Sequence, residues 1–239
     1  MTDPVATGTG HLKHSRVFNW RPIIIGFLAV ASLSALFMAY VDEPAARYFR
    51  DAFDAEQRRF LGHTLGALGK PDVYFAICAV VALVCWLLNR KATDARPRLK
   101  RLMHASLFVV LSVIAAGGVV NRAKFIIGRV RPRELFNDGV YGFLPFNTDF
   151  GMNSYPSGHS QMVWSLAVAL FVAFPRLWPV YVTFATVIAA SRFLASVHYV
   201  SDVMMGAYIG AVIPLILKHY VYDARGIDLR PKPPGSPAA

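Results

Sequence analysis

The stretch from residue 102 to residue 132, LMHASLFVVLSVIAAGGVVNRAKFIIGRVRP, decides how this chain folds. Its first nineteen residues contain no Lys, Arg, Asp or Glu, and a run of roughly 20 such residues crosses the hydrocarbon core of a bilayer. Lys124 and Arg131 follow, seven residues apart, so we expect them on one face of a continuing helix that Pro132 ends. The stretch therefore predicts a membrane-spanning helix with a cationic end.

The composition of the whole chain indicates a polytopic membrane protein. Of its 239 residues, 55% are hydrophobic and only 16% are charged, which is little charge for a soluble domain of this length. The net charge of +11 is distributed between apolar runs, so we expect no nucleic-acid partner. The predicted fold is an all-α membrane helix bundle with six transmembrane helices: Pro22–Val41, Val73–Leu88, Leu102–Val120, Gln161–Phe174, Leu177–Ser191 and Val203–Leu217.

The lysines and arginines orient the predicted spans. They are frequent in the N-terminal arm, in loop 90–101 and after the last span, and the positive-inside rule places these segments in the cytoplasm. We expect a cytoplasmic arm at 1–21, a six-span domain at 22–220 and a disordered cytoplasmic tail at 221–239. The first apolar run is long for a signal peptide, so we expect it to be retained in the inner (plasma) membrane.

The first loop contains a second kind of pattern. Between residues 48 and 61, aromatic and aliphatic residues recur near helical spacing among charges. This pattern predicts an amphipathic helix lying at the membrane interface, and an ordinary loop helix is the alternative.

The cations after the third span oppose the positive-inside rule, because the predicted orientation places them outside. Anion binding explains them better, since an Arg guanidinium offers a planar fork to phosphate oxygens and Lys offers a point charge. The alternative is that they are basic residues extending from a span end to the headgroups. We assign that simpler role to Arg129 and Arg133 and the phosphate-binding role to Lys124 and Arg131.

The sequence Pro156-Ser157-Gly158-His159 precedes the fourth apolar run. Ser157 is a typical N-cap residue, and a simple turn with such a cap is one interpretation. The other is an anion site, because free N–H groups at a helix start bind phosphate and Gly158 permits close approach. His159 would then lie beside the phosphate as a proton donor.

Arg192 ends the fifth run, and His198 and Asp202 precede the sixth. The two are four residues apart, so we expect them to be neighbours on one helix face. Asp202 could then hold one imidazole nitrogen protonated and leave the other free to attack. A structural cap is the alternative, although charged residues beside a membrane span usually mark function.

Taken together, the pattern K-x6-R-P, P-S-G-H and S-R-x5-H-x3-D closely resembles the type-2 phosphatidic acid phosphatase superfamily of membrane lipid phosphate phosphatases. The resemblance covers roughly residues 20–220. It implies that His198 is the nucleophile, that Asp202 orients it and that His159 is the general acid. It also implies a phosphate-binding set made of Lys124, Arg131, Ser157, Gly158 and Arg192.

We therefore expect an integral membrane phosphatase that hydrolyses a lipid phosphomonoester or diphosphate at the outer (periplasmic or extracellular) face through a phosphohistidine. No metal or other cofactor is expected, because no metal-type cluster of ligands appears in the sequence. Membrane lipids and the lipid phosphate are the expected partners, and the oligomeric state is left open. Soluble acid phosphatases and vanadium haloperoxidases carry the same motifs without six spans. A lipid-phosphate transporter or flippase that uses the pocket only for binding is the alternative function.

Overall fold

The computed structural model describes residues 18–90 and 96–230, and these ranges are almost entirely helical. Their only β-pairing is one bridge, between Arg129 and Phe143. The predicted all-α fold is confirmed. The nine α-helices of the described ranges are α1 Arg21–Tyr40, α2 Asp42–Ala52, α3 Ala55–Arg59, α4 Asp72–Arg90, α5 Pro97–Ile127, α6 Pro132–Asp138, α7 Gly158–Ala173, α8 Trp178–Leu194 and α9 Val200–Leu217.

Six of these helices form the predicted membrane bundle. Helices α1, α4, α5, α8 and α9 are long and apolar enough to cross a bilayer, and α7 is a shorter apolar helix. Most of α7 is buried against α5, α8 and α9, so it meets protein more than lipid. The 31 residues of α5 span about 46 Å at 1.5 Å per residue. This helix therefore extends past a hydrocarbon core of about 30 Å.

Two glycines of α9 bring it unusually close to α7. A Cβ atom at Gly206 would collide with the carbonyl oxygen of Ser157, and one at Gly210 would collide with that of Gln161. Small residues let helix backbones approach in this way inside membranes. As a result the Ser157 N–H donates to the carbonyl oxygen of Asp202 at 2.9 Å, which joins the first turns of the two helices.

Two local predictions about the motif residues are wrong. Helix α5 ends at Ile127 because Gly128 adopts a left-handed conformation with φ 58°, so Lys124 and Arg131 do not share a helix face. Arg131 instead lies in the turn that leads into α6, as its N-cap residue. Helix α9 begins at Val200, so His198 precedes the helix and only Asp202 lies on it.

The first loop is helical, as expected, but in separate pieces. Helix α2 ends at Ala52, and Asp54 starts α3 with a capping box in which its carboxylate accepts from the Gln57 N–H at 2.8 Å. A π-helical turn then spans Phe60–Leu65. One continuous helix over 48–61 is therefore wrong, and its interfacial location stays a prediction.

The packed part of the chain extends beyond the expected boundary at residue 220. A π-helical turn spans Lys218–Asp223, and its Tyr222 is buried with an edge-to-face contact to Phe108. Leu229 is also buried in the core. The disordered tail predicted from 221 is therefore wrong for residues 221–230. Most of the predicted arm (1–17) and the last tail residues (231–239) lie outside the described residues.

Candidate active site

The start of α7 presents unpaired backbone donors. Ser157 is the N-cap residue, and its hydroxyl accepts from the Ser160 N–H at 3.4 Å, as the simpler interpretation of this motif expected. The N–H groups of Gly158 and His159 belong to the free first turn, and no described residue accepts from them. Such donors, together with the helix dipole, bind anions. The capping role of Ser157 and an anion site are thus compatible.

Lys124 lies directly above this turn. Its Cε is 3.9 Å from the position that a Cβ atom of residue 158 would take, an ordinary van der Waals distance, so the side chain packs against the first residue of α7. The ammonium donates to the carbonyl oxygens of Asn153 and Ser154 at 2.5 and 3.3 Å. The loop before α7 therefore fixes the position of this cation.

Asn153 also holds the second cation of the site. Its Oδ1 accepts from Nε and Nη2 of Arg131 at 3.3 and 2.9 Å, and the Arg131 side chain is buried. Burial lowers the pKa of Arg131 to about 10, which leaves it charged at neutral pH. Sequence reasoning missed Asn153, because an asparagine in a loop carries no periodic or motif signal.

Residues of the first loop fix the position of the third cation, Arg192. It is buried, and its Nη1 donates to the Gly62 carbonyl oxygen at 2.7 Å. Gly66 lies against the guanidinium, and a Cβ atom there would overlap it. The π-helical turn thus positions Arg192, whose buried Nε–H donor has no partner among the described residues.

His198 and Asp202 form the pair that the sequence predicted, although not on one helix. The imidazole Nδ1 is 3.4 Å from Asp202 Oδ2. That oxygen also accepts from the Ser154 hydroxyl at 2.5 Å and from the Tyr199 N–H at 2.9 Å. Burial lowers the pKa of His198 well below its ordinary 6.5. The Asp202 hydrogen bond raises the pKa and so opposes the shift, whereas the charges of Arg131 and Lys124 lower it further. The imidazole is therefore neutral at pH 7.

The assignment of Arg129 as a basic residue that extends to the lipid headgroups is wrong. Its side chain is 1% exposed and forms ion pairs with Asp202 at 2.6 Å and Asp42 at 2.9 Å. The guanidinium also lies 4.1 Å from the centre of the Tyr199 ring. Burial alone would lower the pKa of Arg129, yet the two carboxylates raise it above its ordinary value. Both members of this network, Arg129 and Asp42, were missed.

A sequence signal for Asp42 did exist. It is an acidic residue immediately after the first apolar run, on the same expected side as the motif cations. Arg129 had the matching signal, since it lies between Lys124 and Arg131.

The predicted site residues come together in one cluster. The positive charges of Arg192, Arg131 and Lys124 act on His159, and those of Arg131 and Lys124 act on His198. Gly69 packs against the His159 ring, and a Cβ atom at residue 69 would lie 3.0 Å from Cδ2 of His159. The described ranges contain no group of three or more His, Cys, Asp or Glu side chains that could hold a metal ion. Clustered Arg and Lys side chains of this kind are suited to binding an anion such as phosphate.

The fold is a helical membrane bundle, and its candidate site is a cluster of cations and histidines at one end of that bundle. The PAP2 superfamily model matches residues 105–225, and the chain belongs to that superfamily. This match covers all three motifs and extends from within α5 to beyond the end of α9.

Relatives of the chain are named as lipid phosphatases. Lipid A 1-phosphatase from Rhizobium etli is 30% identical over 211 residues, which cover 86% of this chain and 87% of the relative. Undecaprenyl-diphosphatase from Sulfolobus acidocaldarius is 30% identical over 118 residues, 49% of this chain and 55% of the relative. The crystal structure of a transmembrane PAP2-type phosphatidylglycerolphosphate phosphatase from Bacillus subtilis has the same fold. It aligns with a TM-score of 0.61 at 20% identity, over 87% of this chain and 98% of the other.

Proposed function

We propose that this protein removes a phosphate from a lipid by way of a phosphohistidine on His198. The observation that carries the proposal is the set of charged groups that act on this imidazole. Asp202 Oδ2 lies 3.4 Å from Nδ1, while Arg131 and Lys124 place positive charge beside the ring. A carboxylate on Nδ1 holds the proton there and leaves Nε2 as a nucleophile, and the cations attract the phosphate to it.

The first chemical step transfers the phosphoryl group. The Nε2 lone pair of His198 attacks phosphorus, and the bond from phosphorus to the lipid oxygen breaks on the opposite side. His159 gives its proton to that oxygen, and the lipid leaves as an alcohol, or as a monophosphate if the substrate is a diphosphate. A phosphate bound among the three cations brings negative charge beside His159, which favours the protonated imidazole that this step requires.

The second step returns the enzyme to its starting state. His159, now neutral, takes a proton from a water molecule as that water attacks the phosphohistidine. The N–P bond breaks, the electron pair returns to Nε2 of His198, and inorganic phosphate leaves. Lys124, Arg131, Arg192 and the free N–H groups of α7 stabilise the negative charge in both steps. The charges of the site are supplied by side chains, and we propose that the reaction needs no metal.

Lipid A 1-phosphate is the first substrate to test, because the relative matched over 86% of this chain is named for that activity. Undecaprenyl diphosphate is the second, from the relative matched over 49%. Phosphatidylglycerol phosphate and phosphatidic acid complete the panel. Release of inorganic phosphate from each lipid by the detergent-solubilised protein, in the presence of EDTA, tests both the reaction and its independence of metal. A lipid transporter or flippase would bind these lipids and release no phosphate.

We further propose that the protein lies in the inner (plasma) membrane with this site at its outer face. The motif residues all lie at one end of the bundle: Lys124 near the end of α5, His159 at the start of α7 and Arg192 near the end of α8. The opposite end receives the basic segment that begins α5, with Arg96, Arg98 and Lys100. The positive-inside rule assigns that end to the cytoplasm.

A further inference from the structure

A second cationic cleft lies beside the phosphate site, and apart from Arg131 its lining residues have no part in the mechanism above. It has a volume of about 240 Å³. Of the described residues that line it, four are arginines and none is acidic. The lining residues are Arg50, Arg58, Arg131, Arg133, Phe136, Ala195, Ser196 and Val197.

The first loop supplies two of these arginines in fixed positions. The Nη1 of Arg58 donates to the carbonyl oxygen of Arg50 at 2.6 Å and also to that of Phe53, at the C-terminal end of α2. Arg50 lies over the ring of Phe136, with its Cζ 4.2 Å from the ring centre. Neither arginine forms an ion pair with any residue in the described ranges. Their charges are therefore not neutralised within the protein.

The other side of the cleft belongs to the proposed active site. Val197 precedes the nucleophile His198, and Ser196 before it adopts a left-handed conformation with φ 54°. Arg131 lines the cleft, and its charge also acts on His198. Of the four arginines, Arg133 is paired with Glu134 at 2.6 Å. The cleft and the phosphate site thus meet at one guanidinium, and the cleft retains a net positive charge.

We propose that this cleft is a second phosphate subsite, which binds a phosphate of the substrate headgroup that is not transferred to His198. The inference rests on the proposed phosphatase function and narrows its substrate class. Because Arg131 lines both sites, the two phosphates must lie within reach of one side chain, as the adjoining phosphates of a lipid diphosphate do. Arg50 and Arg58 then bind the retained phosphate while the terminal one is transferred.

The test compares matched substrates in purified protein. Undecaprenyl diphosphate and undecaprenyl monophosphate share one lipid chain and differ by one phosphate. The ratio of their kcat/KM values should favour the diphosphate, and Arg58→Gln should lower that ratio about tenfold to a hundredfold, the worth of one charge-assisted hydrogen bond. Arg50→Gln should lower it in the same direction and breaks no hydrogen bond from its own side chain. Arg59→Gln is the matched control, because Arg59 is exposed and lies outside the cleft.

A second pair of lipids distinguishes the possible sources of the retained phosphate. Lipid A 1,4′-bisphosphate and lipid A 1-monophosphate differ by a phosphate on the distant sugar. A defect of Arg58→Gln confined to this pair would overturn the assignment to an adjoining phosphate. An unchanged diphosphate preference in both Arg58→Gln and Arg50→Gln, or an equal loss in Arg59→Gln, would overturn the subsite while leaving the phosphatase function intact.

A binding measurement keeps the two proposals separable if no lipid is hydrolysed. Inorganic pyrophosphate should bind the solubilised protein more tightly than inorganic phosphate in isothermal titration. Arg58→Gln should remove most of that difference, and Arg59→Gln should preserve it. Equal affinities of the wild-type protein for the two anions would refute the subsite on their own.

Discussion

Arg129 and Asp202 form an ion pair inside the protein, with Nη1 2.6 Å from Oδ1 and neither side chain more than 1% exposed. The other oxygen of the same carboxylate is the one that faces Nδ1 of His198. Asp42, at the start of α2, accepts from Nη2 of Arg129 at 2.9 Å and also from the Ser201 N–H at 3.1 Å. The position of His198, the proposed nucleophile, therefore depends on a cation outside the proposed phosphate-binding set.

Arg129→Lys should keep the charge but lose the fork that spans two carboxylates. The Asp202 carboxylate then shifts, and we expect phosphohistidine formation to slow about 10²-fold, as for a misplacement of about 1 Å. Rapid-quench measurement of the first turnover gives this rate. Arg122→Lys is the control, because Arg122 is exposed and bonds only to the carbonyl of Gly118 in its own helix. An Arg129→Lys protein with a lowered Tm and a normal first turnover would show that Arg129 serves stability alone.

Arg129→Met removes the charge entirely and leaves two buried carboxylates without their cation. Breaking a buried pair by removing one partner costs about 3–5 kcal/mol, so we expect a loss of folded protein in detergent. Thermal unfolding followed by a size-exclusion assay measures this, and Arg129→Lys should unfold at a temperature between those of Arg129→Met and wild type. Equal stability of Arg129→Met and wild type would contradict the ion-pair account.

Gly66→Ala should displace Arg192 from the phosphate site, because a Cβ atom at residue 66 would occupy the space of the guanidinium. We expect weaker inhibition by inorganic phosphate and a lower kcat/KM, with little change in the fold. Gly117→Ala is the matched control, since a Cβ atom there meets only Gln161 Oε1 at an ordinary 3.6 Å. A Gly66→Ala protein with unchanged inhibition by phosphate would remove the role we give to the π-helical turn.

The pKa of His198 sets the pH range in which it can attack. It is lowered below 6.5 by burial first, with the Asp202 hydrogen bond opposing the shift. The imidazole is thus neutral above the lowered pKa and loses its free lone pair as the pH falls through it. In NMR spectra of histidine-labelled protein, the His198 signal is identified by its absence from His198→Ala. This signal should titrate below pH 6.5 in the wild-type protein and at a still lower pH in Asp202→Asn. A midpoint at or above 6.5 would contradict the buried neutral nucleophile.

The membrane orientation can be tested with single cysteines in a protein that lacks Cys78 and Cys85. Asp138→Cys, at the end of α6, should react with an impermeant reagent added from outside, because we place this loop beyond the outer face. Arg98→Cys, near the start of α5, should react with the same reagent only after the membrane is permeabilised. The opposite labelling pattern would invert the proposed topology.

The spans and the three motifs were predictable from the sequence because each has a periodic or local signal. Apolar runs set the helices, and His159, Arg192 and Asp202 could be placed because they lie at the ends of those runs. The partners that connect them were not predictable in the same way. Arg129 and Asp42 are 87 residues apart in the chain, and their segments come together because α1 and α5 both pack against α9.

The end of α5 shows a second limit. Spacing alone favoured a helix through Arg131, yet Gly128 ends it, and a Cβ atom at residue 128 would collide with the Leu144 carbonyl. The loop that folds back from Phe143 to Ser154 therefore requires that glycine. Contacts of this kind join segments far apart in the chain, and no local pattern records them.

His198 and His159 should respond differently to the leaving group. In the proposed mechanism His198 forms the bond to phosphorus for every substrate, so His198→Ala should be inactive on all of them. The proposed role of His159 in that step is only to protonate the departing oxygen, and general acid assistance is worth roughly 10²–10⁴-fold where the leaving group needs it. A lipid alkoxide needs it, whereas p-nitrophenolate leaves well without a proton. His159→Ala should therefore lose most of its first-turnover rate on a lipid and keep a larger fraction on p-nitrophenyl phosphate.

The first turnover must be measured by rapid quench, because His159 is also the proposed base of the second step and steady-state turnover would stall without it. The stalled His159→Ala protein should then accumulate an acid-labile phosphohistidine, which mass spectrometry at neutral pH can assign to His198. His104→Ala is the control, since His104 lies on α5 near its start and far along the helix from Lys124. An equal loss on both substrates in the first turnover, or phosphate trapped on another residue, would show that the two histidine roles are assigned wrongly.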